Sequence, residues 1–183
     1  MPKPLLAPIL AGVLCLAAWC AAGPAQAGAC LERGLWPPAT ETMSLHPAGA
    51  PKKAIDLSWP AQGAPSVLSL WTAHGGANQR WVIYMGLSAK LPSSFLIKSA
   101  AEPRCLVWGR PVPVLSERLH TVRCDSENPA QRWCVTGAGD GAVHIRHLPG
   151  GGCLTADGNL AQEGVPLTLK PCRNAPEQRW LVR

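Results

Sequence analysis

Three copies of one tripeptide constrain this chain more than any other feature. Gln79-Arg80-Trp81, Gln131-Arg132-Trp133 and Gln178-Arg179-Trp180 set their Trp residues 52 and 47 positions apart. Two Cys pairs keep the same phase: Cys105 and Cys124 are 19 apart, as are Cys153 and Cys172. The second Cys of each pair precedes the repeat's Gln by seven or six residues. The same frame laid on the first unit gives Ala54 and Ala73, again 19 apart, with Ala73 six before Gln79. An aliphatic residue follows each first position, as Ile55, Leu106 and Leu154. Self-similarity at such a period marks units that cannot bury their apolar faces alone and must pack on one another. The Trp of each motif then belongs to a shared core, and the Gln amide fixes a nearby turn.

The composition says what each unit is made of. Pro 19 and Gly 18 leave no long uninterrupted helical window, which excludes a helical bundle or coiled coil. Hydrophobic residues at 47% exclude intrinsic disorder. Segments Ser66–Trp71, Trp81–Met85, Phe95–Lys98, Val143–His147 and Pro166–Lys170 carry β-branched or aromatic residues in partial alternation and read as strands. Turn signals separate them at Gly75-Gly76, Gly139-Asp140-Gly141, Pro149-Gly150-Gly151 and Asp157-Gly158-Asn159. The expectation is an all-β chain of three units, at about 42–92, 93–141 and 142–183.

The N-terminus reads differently. Lys3, the apolar stretch Ile9 to Ala22 and the small-x-small Ala25-Gln26-Ala27 have the order of a secretory signal peptide cleaved after Ala27. A retained anchor fits less well, because Pro8 interrupts the apolar run and no basic stop-transfer cluster follows. Lipidation is disfavoured at Cys15, Cys20 and Cys30, since Leu14 and Trp19 are too large before the Cys and Ala27-Gly28-Ala29 lacks the preferred Leu. Cleavage leaves a secreted chain with an extension over 28–41, six Cys and no stable membrane span. An even number of Cys in an oxidising compartment implies disulfides, with 15 pairings open to six Cys.

Most catalytic and metal chemistries lack a sequence basis. His144 and His147 are three apart in a strand-like segment, which puts their rings on opposite faces and argues against a shared metal. No H-E-x-x-H, G-x-S-x-G or Walker sequence occurs, and nothing nominates a pair of carboxylates for glycoside hydrolysis. The formal charge of +6 falls on scattered Arg, with only Lys52-Lys53 adjacent, which suits solubility or anionic glycans better than nucleic acid. A non-enzymatic protein without cofactor is expected.

Three Q-x-W motifs, each downstream of a C-L…C unit or its Ala54-Ile55 equivalent, resemble the ricin B-type lectin family. The resemblance covers about residues 42–183 and implies a β-trefoil with one potential sugar pocket per repeat, in many members for galactose-type sugars. In such a pocket an Asp two residues after the first Cys accepts from sugar hydroxyls, an aromatic ring stacks on the pyranose, and an Asn before the motif's Gln adds a bond. The first repeat supplies Asp56, Trp71, Asn78 and Gln79. The second has Val107, Val122, Ala130 and Gln131, and the third Thr155, Lys170, Glu177 and Gln178. One site in three is therefore expected, with Asp56 exposed at its rim. The matched spacings predict Cys105–Cys124 and Cys153–Cys172, which leaves Cys30–Cys134. The layout is also similar to the A or C subunits of cytolethal distending toxins. That alternative implies protein partners met by Trp36, Trp59 or Trp108.

Overall fold

The computed structural model describes residue 30 and residues 41–58, 66–84, 94–110 and 117–183. The expected signal peptide, the expected extension apart from Cys30 and Glu41, and Trp36, Trp59 and Met85 lie outside the described residues. Each Q-x-W unit carries four strands. The first has β1 (Leu45–Pro47), β2 (Lys53–Ser58), β3 (Val67–Thr72) and β4 (Trp81–Tyr84). The second has β5 (Leu96–Ser99), β6 (Arg104–Gly109), β7 (Arg118–Arg123) and β8 (Trp133–Gly139). The third has β9 (Ala142–His147), β10 (Cys153–Ala156), β11 (Val165–Lys170) and β12 (Trp180–Val182).

The outer strands of each unit close into a six-stranded barrel. Strand β1 pairs β12, β12 pairs β9, β9 pairs β8, and β4 pairs β5, all antiparallel. The bridges Met43↔Trp81 and Phe95↔Trp133 complete the ring between β1 and β4 and between β5 and β8. Closure removes the exposed edges that an open sheet would carry. The inner strands form three hairpins, β2–β3, β6–β7 and β10–β11. Strand β3 joins them by pairing β7 at Val67↔His120 and β11 at Leu70↔Val165. A barrel capped by three hairpins, with one unit per third, is a β-trefoil.

The core explains why the repeated Trp are needed. Trp81, Trp133 and Trp180 are each at most 1% exposed. Each indole Nε1–H donates to a backbone carbonyl at the matching place in its unit: Ile55, Leu106 or Leu154, at 3.3, 3.1 and 3.0 Å. A buried Trp removes ~150–250 Å² from water, and its polar hydrogen needs a partner. Those three carbonyls follow the Ala54, Cys105 and Cys153 positions, so the repeated aliphatic residue is also the anchor of the ring. Ile55, Leu57, Leu68 and Leu70 alternate along the first hairpin and face this core.

Among the described residues three disulfides join Cys105–Cys124, Cys153–Cys172 and Cys30–Cys134, with Cα atoms 4.9, 4.9 and 5.0 Å apart. The first two tie a hairpin's first strand to a residue one or two positions past its second. The third ties the chain's N-terminal part to β8. Such pairs belong to an oxidising compartment. Among the described residues no helix is long and apolar enough to cross a membrane.

Candidate carbohydrate-binding site

The first hairpin sets the geometry. In its register Ala54 faces Trp71 and Asp56 faces Ser69. Residues two apart share a strand face, so Asp56 and Trp71 lie on the same side, away from the core. Diagonal neighbours of this kind are separated by about 7–8 Å, a gap that one pyranose ring can bridge. Trp71 is 45% exposed despite its size, and the edge of its ring at Cζ3 lies 3.8 Å from where a Cβ on Gly164 would sit.

The segment after β3 folds back over this face. Gly75, at φ +73°, turns the chain, and a single 3-10 turn at Ala77–Gln79 delivers Asn78 and Gln79. Gln79 pins the loop: its Oε1 accepts from the His74 and Gly75 amides at 2.8 and 3.3 Å, and its Nε2 donates to Thr72 O at 2.9 Å. The same Nε2 donates to Asp56 Oδ2 at 2.9 Å, and Asn78 Nδ2 donates to that oxygen at 3.0 Å. His74 completes the set. Its Nδ1 accepts from Gly76 N–H at 3.1 Å, so Nε2 carries the ring hydrogen and donates to Asp56 Oδ2 at 3.3 Å. Among the described residues all three side-chain donors to Asp56 fall on Oδ2, which leaves Oδ1 to accept from a ligand.

Asp56 is 5% exposed, contrary to the expectation of an exposed rim residue. The reason is the folded-back loop, which covers Asp56 with Asn78, Gln79 and His74. A carboxylate held by several donors is oriented before a ligand arrives, so little ordering cost remains for binding. Gln79 is 1% exposed and acts through Asp56 and the loop backbone.

The other two repeats keep the scaffold and lack the acceptor. Gln131 Oε1 accepts from Asp125 N at 3.0 Å and its Nε2 donates to Arg123 O at 2.9 Å. Beside it stands Val107, which can accept nothing. Gln178 does the same with Arg173 N and Pro171 O, at 2.6 and 3.1 Å. Its Nε2 also donates to Thr155 Oγ1 at 2.9 Å, and that hydroxyl donates to Cys153 O at 2.8 Å, so its hydrogen is engaged within the repeat. At the place of Trp71 stand Val122 and Lys170, the latter paired with Asp157 at 2.5 Å. The places of Asn78 are taken by Ala130 and Glu177.

A separate groove of about 410 Å³ lies where β3, β7 and β11 meet, lined by Ser69, Arg118, Asp157 and Thr168 among others, and its lining does not include Asp56, Asn78 or Gln79. His147 packs its ring 5.0 Å from that of Trp133 and bonds Ala130 O at 3.1 Å, a structural placement within the core. Among the described residues no group of three or more His, Cys, Asp or Glu is placed to hold a metal ion. Trp108 is half-buried and packs against the core. His74 was not legible as a site residue. The signal available was its place five residues before Gln79, where Arg173 precedes Gln178 in the third repeat.

The designed threefold-symmetric protein ThreeFoil superposes with a TM-score of 0.65 at 15% identity, over 77% of this chain and 96% of its own. The Macrolepiota procera ricin B-like lectin in complex with lactose superposes with a TM-score of 0.59 at 20% identity, over 78% and 94%. The Haemophilus ducreyi cytolethal distending toxin gives 0.60 at 17% identity, over 82% and 88%. At these identities the likeness is one of fold. No curated protein matches the sequence. The ricin-type β-trefoil lectin domain family matches residues 41–180, nearly the whole of the repeat region, and the chain belongs to that family.

Proposed function

We propose that the protein is a secreted carbohydrate-binding domain that takes a galactose-type sugar at its first repeat. The observation that carries this reading is the Asp56 carboxylate. One of its oxygens holds the donors of Asn78, Gln79 and His74, and the carboxylate shares its hairpin face with a half-exposed Trp71. Adjacent hydroxyls on one edge of a hexose donate to Oδ1, while the C–H face of the pyranose lies on the indole. Asn78, half-buried at the rim, offers its amide oxygen and remaining hydrogen to a further hydroxyl. Gln79 positions rather than contacts. The lactose of the Macrolepiota procera lectin supports the choice of sugar class.

In this reading residues 1–27 are removed on secretion, 28–41 form an extension, and the trefoil occupies 42–183 without catalytic machinery or cofactor. A glycan array probed with the mature protein tests it. Binding confined to glycans with terminal galactose or N-acetylgalactosamine is expected. Binding to no glycan would transfer the reading to protein-mediated delivery in a toxin-like assembly.

A further inference from the structure

We propose that Glu163, supplied by the third repeat, is a positioning residue of the first-repeat sugar site and replaces the disulfide which that repeat lacks. The inference rests on the sugar reading for its ligand but not for its geometry. In the second and third repeats a disulfide ties Cys105 to Cys124 and Cys153 to Cys172, closing the hairpin beside the loop that follows. The first repeat has Ala54 and Ala73 at those places and cannot be closed in that way.

The residues just before each of the two Ala are instead held together from outside. Lys53 and Thr72 are register partners. Glu163 Oε1 lies 2.7 Å from Lys53 Nζ, and Glu163 Oε2 accepts from the Thr72 amide at 2.9 Å. The Thr72 hydroxyl donates to Glu163 Oε1 and accepts from Lys53 Nζ at 3.3 Å, which closes the ring of contacts. The Lys53 side chain is only 12% exposed, so without Glu163 its charge would lose its counter-ion while half-hidden from water. Hydrogen bonds from Lys53 and Thr72 hold the Glu163 carboxyl below the usual carboxylate range.

The clamp leads directly into the site. Thr72 gives its N–H and hydroxyl to Glu163, while its carbonyl accepts from Gln79 Nε2, the same nitrogen that holds Asp56. Gly164, next in sequence, donates its amide to Leu70 O at 2.8 Å and lies beside the Trp71 ring. Glu163 and Gly164 therefore touch three consecutive residues of β3, with the stacking ring in the middle. Gly164 is at φ +71°, which favours glycine there and keeps side-chain bulk away from the indole. The first-repeat site is thus built by two repeats.

The test uses the full mature chain, with lactose as probe and amide exchange as an independent readout. In Glu163→Ala, and more mildly in Glu163→Gln, exchange at residues 72–79 accelerates. Lactose affinity falls about five- to tenfold, as the binding-competent arrangement becomes a minority state. Adding Ala54→Cys with Ala73→Cys to Glu163→Ala restores both, because the matching Cα pairs elsewhere sit 4.9 Å apart. Asp157→Asn, which breaks the exposed pair with Lys170, serves as control and leaves both unchanged. Unchanged lactose affinity in Glu163→Ala overturns the positioning role, and so does failure of the added disulfide to restore it. If the unmodified protein binds no lactose, the sugar reading falls. The clamp is then decided by exchange alone, and unchanged exchange overturns it.

Discussion

Replacing Asp56 separates the stability of the site from its chemistry, because the three repeats already contain the relevant variants. Asp56→Ala removes the acceptor of Asn78, Gln79 and His74. Asn78 is half-buried and His74 exposed, so their donors regain water, but Gln79 is buried and one of its amide hydrogens is left unpaired. A buried unsatisfied donor costs about 1–3 kcal/mol. For a chain of this size each kcal/mol moves the melting temperature by about 2–4 °C, so Asp56→Ala melts about 2–12 °C lower. The fold survives, because Gln131 stands beside Val107 in the second repeat and keeps its loop through Arg123 O and Asp125 N. Asp56→Thr copies the third repeat, where Thr155 Oγ1 accepts from Gln178. It restores a partner for Gln79 and recovers most of the lost stability, yet it lacks a charged acceptor for a sugar hydroxyl. Losing a hydrogen bond to a charged group costs about 1.5–3 kcal/mol, enough to push a weak site out of detection. Melting curves and lactose titrations of the two variants decide the matter. An unchanged melting temperature in Asp56→Ala, or native affinity in Asp56→Thr, would refute the account of this network.

Trp71→Ala weakens lactose binding about tenfold with a small change in melting temperature, since the ring is 45% exposed; calorimetry and a melting curve check both. Replacing Cys153 and Cys172 by Ser lowers stability by about 3 kcal/mol in denaturant titrations through loss of a short cross-linked loop. Acidification also destabilises the fold. Burial lowers the pKa of His46, His120, His144 and His147 below the ordinary value of 6.5. The unfolded chain then binds more protons below pH ~6.5, so this stability is complete above that pH and lost as pH falls. Glu163, with its lowered pKa, acts in the same direction at lower pH. Melting temperatures that stay level or rise between pH 7.5 and 5 would contradict this.

What could be read from the sequence was what repeats locally. The Gln of each motif fixes a turn seven or eight residues of backbone away, and each Trp finds a carbonyl 26 or 27 residues earlier, so both leave a fixed spacing in the chain. The disulfide frame is equally local in two of its three pairs. Strand ends shifted by a residue, as in Val67–Thr72 for Ser66–Trp71, because alternation marks a strand's middle better than its ends. Strands β2, β6 and β10 carry no alternation to read, since their Cys-Leu and Ala-Ile segments are buried on both faces. The burial of Asp56 depends on how residues 73–79 fold back, which no spacing encodes. Glu163 was out of reach because it joins the first repeat from 91 residues beyond Thr72.

In the proposed function one repeat of three binds sugar, through Asp56 and Trp71. Nuclear magnetic resonance of the indole Nε1–H and backbone signals during a lactose titration decides between this and binding elsewhere. Trp71 and residues 73–79 should shift together in fast exchange and give one dissociation constant. At about 0.3–0.4 kcal/mol per non-hydrogen atom of a single bound hexose, that constant is on the order of 1 mM. Trp81, Trp133 and Trp180, sealed in the core, should stay fixed, as should Val107 and Thr155 in the other repeats. Shifts centred on the second or third repeat, or a Trp71 signal that does not move at saturating lactose, would contradict the account.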